Sequence, residues 1–139
     1  MPANPDVVIQ TPCPVQPNCV CSTEVIVDSA VVIPPQKPEI ERILEFRVSV
    51  EVTDWQVINT PLGHKVIVSG VVHIGVEYVA NVPDQAVHFA HFDIPWHTFF
   101  LCAAELTNVT ACIEYADFHQ IDPRHIEKLV VLYVCGQGV

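Results

Sequence analysis

The strongest constraint on the fold is an alternation of side-chain character in the middle of the chain. Every even position from 66 to 78 is apolar or glycine, and Lys65, His73 and Glu77 lie among the odd positions. A period of two places successive side chains on opposite faces of a strand. The pattern predicts one long strand over residues 65–80 with one face in a core, and Gly70 and Gly75 allow it to bend.

Further apolar runs separated by turn residues predict an all-β chain. Prolines and strands flanking residues 39–44 favour a strand start there over a helical turn. The run at 24–33, ended by Pro34 and Pro35, predicts an edge strand, and the nearly continuous apolar run at 126–135 predicts a strand covered on both faces. The other predicted strands are residues 46–52, 86–94, 96–102 and 109–115. Seven or eight short strands without long amphipathic helices indicate a single β-sandwich or jelly-roll-like domain with an extended N-terminal arm.

Composition narrows the classes of partner. Half of the 139 residues are hydrophobic, 16% are charged, and the formal net charge is −10. This content supports a folded core and repels phosphate backbones and anionic headgroups, and no apolar run reaches the roughly 20 residues of a spanning helix. We therefore expect neither a nucleic acid nor a membrane as partner.

The first 22 residues form a segment of different composition. They contain five of the twelve prolines, three cysteines and a single charged residue, Asp6. Proline fixes φ and removes a backbone donor, so this segment is predicted to be an extended connector arm. The sequence thus divides into an arm at residues 1–22 and a β-sandwich domain at residues 23–139.

Six cysteines divide evenly between these two parts. They are Cys13, Cys19 and Cys21 in the arm and Cys102, Cys112 and Cys135 in the domain. Residues 1–10 have no Lys or Arg, which does not indicate a secretory signal peptide, whereas an even cysteine set suits an oxidising compartment. We expect synthesis in the cytosol without a signal peptide and oxidation later, outside the cell.

Several pairings of these cysteines are open. If each arm cysteine pairs with a domain cysteine, three bridges fasten the arm to its own domain or to a neighbour's, but six cysteines allow 15 connectivities. Reduced, buried thiols are the alternative. An extended arm of ~20 residues spans up to roughly 60 Å, and a head-to-tail contact builds filaments, which favours inter-subunit bridges. Cys19 and Cys21, two residues apart, are expected to face one target.

Metal and catalytic chemistry find little support in the sequence. Of seven histidines, His88 and His91 lie three apart and would face opposite sides of a strand, and no zinc-type motif is present. No catalytic signature appears; Cys102 or Cys112 with His97 or His119 is only the sort of pair that any such chain offers. We expect no metal, no cofactor, no catalytic residue and no enzymatic activity.

Four segments together resemble a known family. They are KVIVSGV at 65–71, VEYVA at 76–80, VH at 87–88 and FDIPWHTF at 92–99. In this order they resemble the SPOCS domain, an all-β module of spore-coat-associated proteins from endospore-forming bacteria, over residues 39–134. The resemblance implies a structural role with no catalytic residues, and synthesis in a mother cell followed by exposure when that cell lyses. An arm rich in Pro and Cys before a β domain also resembles spore-appendage pilin subunits, whose connector reaches neighbouring subunits and becomes disulfide-bonded.

The function predicted from these features is structural. The chain is expected to be a self-assembling subunit of a disulfide-stapled extracellular filament or spore-surface layer, with the arm linking neighbouring copies. The six cysteines are the predicted cross-linking residues, and the partners are further copies of the chain and other spore-coat proteins. The alternative is a non-filamentous coat adaptor that binds other coat components.

Overall fold

The computed structural model describes residues 5–138, which form seven strands and no helix. Residues 1–4 of the predicted arm and Val139 lie outside the described residues. The strands are β1 (Asp6–Ile9), β2 (Cys21–Val32), β3 (Ile40–Thr60), β4 (Gly63–Ala80), β5 (Val87–Leu101), β6 (Leu106–Gln120) and β7 (His125–Gly138). The predicted all-β fold class is confirmed. Across residues 5–138 no helix is long and apolar enough to cross a membrane.

The strands form two sheets. One has the order β1-β3-β4-β5 and the other β2-β7-β6. Hairpins join β3 to β4, β4 to β5 and β6 to β7, and β2 pairs with β7, the last strand in the described residues. All ladders are antiparallel except that of β1, which runs parallel to β3. The core lies between the two sheets.

The alternation in the middle of the chain produces the central strand of the larger sheet. In β4, Val66, Val72 and Tyr78 are fully buried, and the odd positions lie on the outer face. Burial of each such side chain contributes about 1.5–3 kcal/mol, so the register of this strand is strongly specified. The predicted strand at 65–80 is confirmed, extended by two residues at its start.

A bulge changes the face that β3 presents to the core. Phe46 and Val48 are buried, and the register shifts between Val52 and Asp54. An extra residue reverses the side-chain alternation, which brings Trp55 opposite Val68 on the inner face. With this shift and two others, β3 pairs with β4 from Ile40 to Thr60.

Several strands differ from their predictions. β3 (21 residues) and β6 (15 residues) extend well beyond the predicted 46–52 and 109–115, so the expectation of short strands is wrong for them. Residues 86–94 and 96–102 are one strand, β5, which runs through Pro95 because an edge strand has N–H groups that face no neighbour. β7 is central in its sheet, but it is covered on one face only: Val130 and Leu132 are buried, whereas Glu127 and Leu129 are exposed. A two-layer sandwich leaves the outer face of each sheet uncovered, so the prediction of burial on both faces is wrong.

The connection from β2 to β3 is fixed by hydrogen bonds to its carbonyl groups. Arg124 Nη1 donates to the carbonyl oxygens of Pro34 and Lys37, both at 3.0 Å. The Tyr78 hydroxyl donates to the carbonyl of Pro38 at 2.9 Å. These bonds satisfy the part-buried guanidinium group and the hydroxyl of the buried Tyr78, and they hold the β2–β3 connection against the domain.

Candidate functional site

The arm lies along its own sandwich, not away from it. β1 pairs with β3 from Asp6 opposite Glu45 to Ile9 opposite Val48. The ladder continues for one more bond, in which the Gln10 amide donates to the Val48 carbonyl at 2.8 Å. The arm thus pairs with only four residues of the 21-residue strand β3.

After β1 the arm crosses from one sheet to the other. The Thr11 carbonyl accepts from the Ile113 amide of β6 at 2.9 Å, and Thr11 Oγ1 accepts from the Val50 amide of β3 at 3.0 Å. Pro12 makes an isolated parallel bridge with Ile113. One residue, Thr11, therefore ties together the neighbouring edges of both sheets.

All six cysteines are paired, each arm cysteine with one domain cysteine of the same chain. The Cα atoms are 4.9 Å apart in Cys13–Cys112, 5.4 Å in Cys19–Cys135 and 5.7 Å in Cys21–Cys102. No free cysteine remains. Cα separations in this range suit a disulfide.

The structure therefore forms the arm-to-domain pairs within one chain. Inter-subunit bridging stays a prediction. Cys19 and Cys21 bind different partners, so the expectation of one shared target is wrong: Cys21 lies in the β2 ladder opposite Gly136, whereas Cys19 precedes that strand. Cys102 and Cys112 carry no thiol when bridged, so neither offers a nucleophile to His97 or His119.

A second group of polar side chains lies on the outer face of the larger sheet. His73 Nδ1 lies 2.6 Å from Asp93 Oδ1, and His73 Nε2 lies 2.9 Å from Glu51 Oε1. The hydrogen bonds to Asp93 and then Glu51 raise the pKa of His73 above its usual value. His91 Nε2 lies 2.7 Å from the same Asp93 oxygen, and hydrogen bonds from His73 and His91 lower the Asp93 pKa.

The sequence alone does not reveal this group, because its members lie on three strands. His73 in β4 is directly opposite Asp93 in β5, and Glu51 lies on β3. Only the register of the hairpin between β4 and β5 could have indicated it. Residues 91 and 93 share one face of their strand, which the sequence does show.

Exposed apolar side chains gather near the β3–β4 hairpin. Phe99 and Leu101 on β5 are 62% and 60% exposed, and Leu62 at the hairpin turn is 77% exposed. A shallow groove there is lined by Ile58, Ile67 and Phe99 among others. Clustered exposed apolar surface of this kind marks interaction sites more often than isolated residues do.

Comparison with known proteins identifies the family. The family model described as "SipL, SPOCS domain" matches residues 39–121, from the start of β3 to the end of β6 and more than half of the chain. No curated protein and no solved structure matches the chain. The match indicates a spore-associated protein with a spore-related location. The chain belongs to the SipL SPOCS-domain family.

Proposed function

We propose that this protein is a self-assembling structural subunit of the spore surface, in which the arm of one copy links to the domain of the next. The proposal includes a non-enzymatic role and an extracellular filament or appendage as the product. The family match supports the spore context. The remaining support comes from how the arm is attached.

The observation that carries the proposal is that no cysteine is left over. Because all six are used in arm-to-domain pairs, a bridge between copies has to be one of these same pairs formed between two chains. Exchange of an identical element between protomers requires no new contact chemistry. The arm of one copy would replace the arm of the next.

One of the three pairs is suited to such exchange. Cys21 belongs to the β2–β7 ladder of twelve residue pairs, and Cys19 is only two residues from it, so both stay with their own domain. Cys13 precedes residues 14–18, all of which are exposed. The six residue steps from Cys13 to Cys19 span ~20 Å when extended. Cys13 can therefore bind Cys112 of a neighbouring copy if that Cys112 lies within this distance of Cys19.

Unpaired strand edges provide further contacts for a chain of copies. The edges of β5, β2 and most of β3 have no strand partner among residues 5–138. An unpaired edge accepts another strand through backbone hydrogen bonds. Because the arm and the site it would occupy in the next copy are different surfaces, the contact is head-to-tail and extends into a filament.

The test uses two complementary variants of the full chain. Cys13→Ser retains Cys112 and Cys112→Ser retains Cys13, so an equimolar oxidised mixture can form the Cys13–Cys112 pair only between different molecules. We expect a dimer on a non-reducing denaturing gel, lost on reduction. Peptide mass spectrometry should assign the bridge to Cys13 and Cys112.

Each variant alone is the matched control, because it can form only a symmetrical bridge through its single free thiol. A mixture that remains monomeric, or that contains only these symmetrical bridges, contradicts arm exchange. Electron microscopy of the oxidised wild-type protein should show filaments. Particles of one copy would contradict self-assembly.

A coat adaptor is the second candidate, and the exposed apolar groove favours it. Phe99 and Leu101 would then contact another coat component instead of a second copy. Under this function Phe99→Ser with Leu101→Ser abolishes binding to coat material and leaves the cross-linking assay unchanged. Loss of self-association in the same variant would instead place this groove between copies.

A further inference from the structure

The outer face of the larger sheet gathers metal-ligating atoms from two neighbouring strands. His73 lies on β4 and pairs directly with Asp93 on β5, and His91 precedes Asp93 by two residues on the same face. One ligand atom from each of these three residues lies within 4.8 Å of the other two. The ladders of this sheet fix the three Cα positions, so little backbone order has to be gained on binding.

The donor atoms already converge on one point. Asp93 Oδ1 is 2.6 Å from His73 Nδ1 and 2.7 Å from His91 Nε2. Two imidazole nitrogens thus face a single carboxylate oxygen. The side chains of His91 and Asp93 are 52% and 58% exposed, so they can rotate by the small amount needed to surround an ion.

Glu51, a fourth residue beside the three ligands, orients the imidazole ring of His73. Glu51 Oε1 accepts from His73 Nε2 at 2.9 Å, which leaves Nδ1 as the nitrogen that faces Asp93. Metal-ligating histidines commonly donate their other ring N–H to a carboxylate, which fixes the tautomer and raises ligand basicity. Glu51 occupies that position here.

We propose that His73 Nδ1, His91 Nε2 and the Asp93 carboxylate form a binding site for a divalent transition metal, with zinc as the ion. Imidazole nitrogens favour zinc, copper and nickel over the harder calcium and magnesium ions, which prefer oxygen ligands. Three protein ligands leave one tetrahedral position open to solvent. Glu51 acts as a positioning residue and does not touch the metal.

Protons compete with the metal for the same nitrogens. The groups that face His73 are Glu51 and Arg47 from β3 and His91 and Asp93 from β5. Of these, Arg47 is held by Glu45 at 2.7 Å, and the two carboxylates favour a positive charge at the site. A metal binds the unprotonated ligand nitrogens, so zinc binding should release protons and weaken in acid.

The test is calorimetric titration of zinc chloride into the full, oxidised chain without an affinity tag, because a histidine tag or free thiols would bind zinc themselves. We expect one saturable site per chain. His91→Ala and Asp93→Asn should weaken binding at least about tenfold, and Glu51→Gln should weaken it about tenfold through the orientation of His73. His119→Gln, at an exposed histidine on the other sheet, is the matched control and should bind as the wild type does.

The visible absorption spectrum of bound cobalt distinguishes this site from nonspecific metal binding. Cobalt bound with tetrahedral geometry gives strong visible absorption bands, which His91→Ala should abolish and Glu51→Gln should shift. Circular dichroism of each variant checks that the exposed substitutions leave the strands intact. Equal zinc affinity in the wild type and the His91→Ala chain, or absence of a saturable site in the wild type, overturns the proposal.

Discussion

The arm and the sandwich of this protein are held by different kinds of interaction. The sandwich depends on a continuous apolar core between two sheets, in which residues such as Ile74, Val76 and Leu132 are fully buried. The arm contributes a four-residue strand and three disulfides. The fold therefore depends mainly on packing, whereas the attachment of the arm also depends on redox conditions.

The largest expected effect is a loss in the free energy of unfolding when the packing of the sandwich core is disturbed. Phe46 is 1% exposed and stacks on Phe118 with ring centroids 4.2 Å apart. Phe46→Ala should reduce the free energy of unfolding by about 3–5 kcal/mol, even with all bridges oxidised. Denaturant titration measures this, and Phe99→Ala on the exposed surface should cost less than about 1 kcal/mol. Equal losses in the two variants would contradict a packed core.

The next largest effect comes from removing the disulfide that fastens the first cysteine of the arm to the domain. Replacing Cys13 and Cys112 together by Ser removes one bridge across 99 residues of sequence and should lower the free energy of unfolding by about 2–4 kcal/mol. Hydrogen exchange should rise at residues 6–13, since the β1 ladder has few other contacts. Amides of β4 that exchange only through global unfolding should lose protection by no more than this loss in the free energy of unfolding. A larger loss of protection throughout β4 would show that arm and sandwich open together.

The space available for an added side chain differs between Gly70 in the sandwich core and Gly138 beside the arm. A Cβ at Gly70 would lie 2.3 Å from the Glu51 carbonyl oxygen and 2.4 Å from a ring carbon of Trp96, so backbone or indole has to move. At Gly138 the nearest atom is a methyl group of Val20 in the arm, at 2.9 Å. Gly70→Ala should cost about 1–3 kcal/mol and Gly138→Ala less. The reverse order in thermal denaturation would contradict a looser arm contact.

The smallest effect concerns the pH dependence of the outer face. Because hydrogen bonds to Asp93 and Glu51 raise the His73 pKa, its charged form stabilises the fold below pH 6.5, and this contribution is lost as pH rises through the raised pKa. At a surface site it should amount to less than about 1 kcal/mol. His73→Gln should flatten this part of the stability curve, measured without metal. His119→Gln should leave it unchanged, and a curve that keeps its slope in His73→Gln would contradict the assignment.

The sequence alone predicted those strands that have a clear side-chain alternation or a proline at their end. The alternation at 66–78 predicted β4, and Pro34 and Pro35 correctly ended the edge strand β2. Both signals are local, since they arise from side-chain period and from proline's missing donor. The SPOCS resemblance at residues 39–134 was likewise confirmed over most of its length.

What depended on strand register could not be predicted. Six cysteines allow 15 pairings, and the structure selects one in which each arm cysteine is bonded to a different domain cysteine. The His73, His91 and Asp93 group required knowing that β4 and β5 pair at that register. Proline at 95 concealed the continuity of β5, because its tolerance depends on the strand being at the sheet edge.

The three bridges also determine what a protease can do to this molecule. Each joins the first 21 residues to a point at or beyond Cys102, so a single backbone cut anywhere between Cys21 and Cys102 leaves the two pieces linked three times. Every turn between β2 and β5 lies in that interval. Nicking there releases no fragment, and the noncovalent sheet contacts keep the cut ends in place. The chain would thus tolerate cleavage at any one of these turns without losing mass.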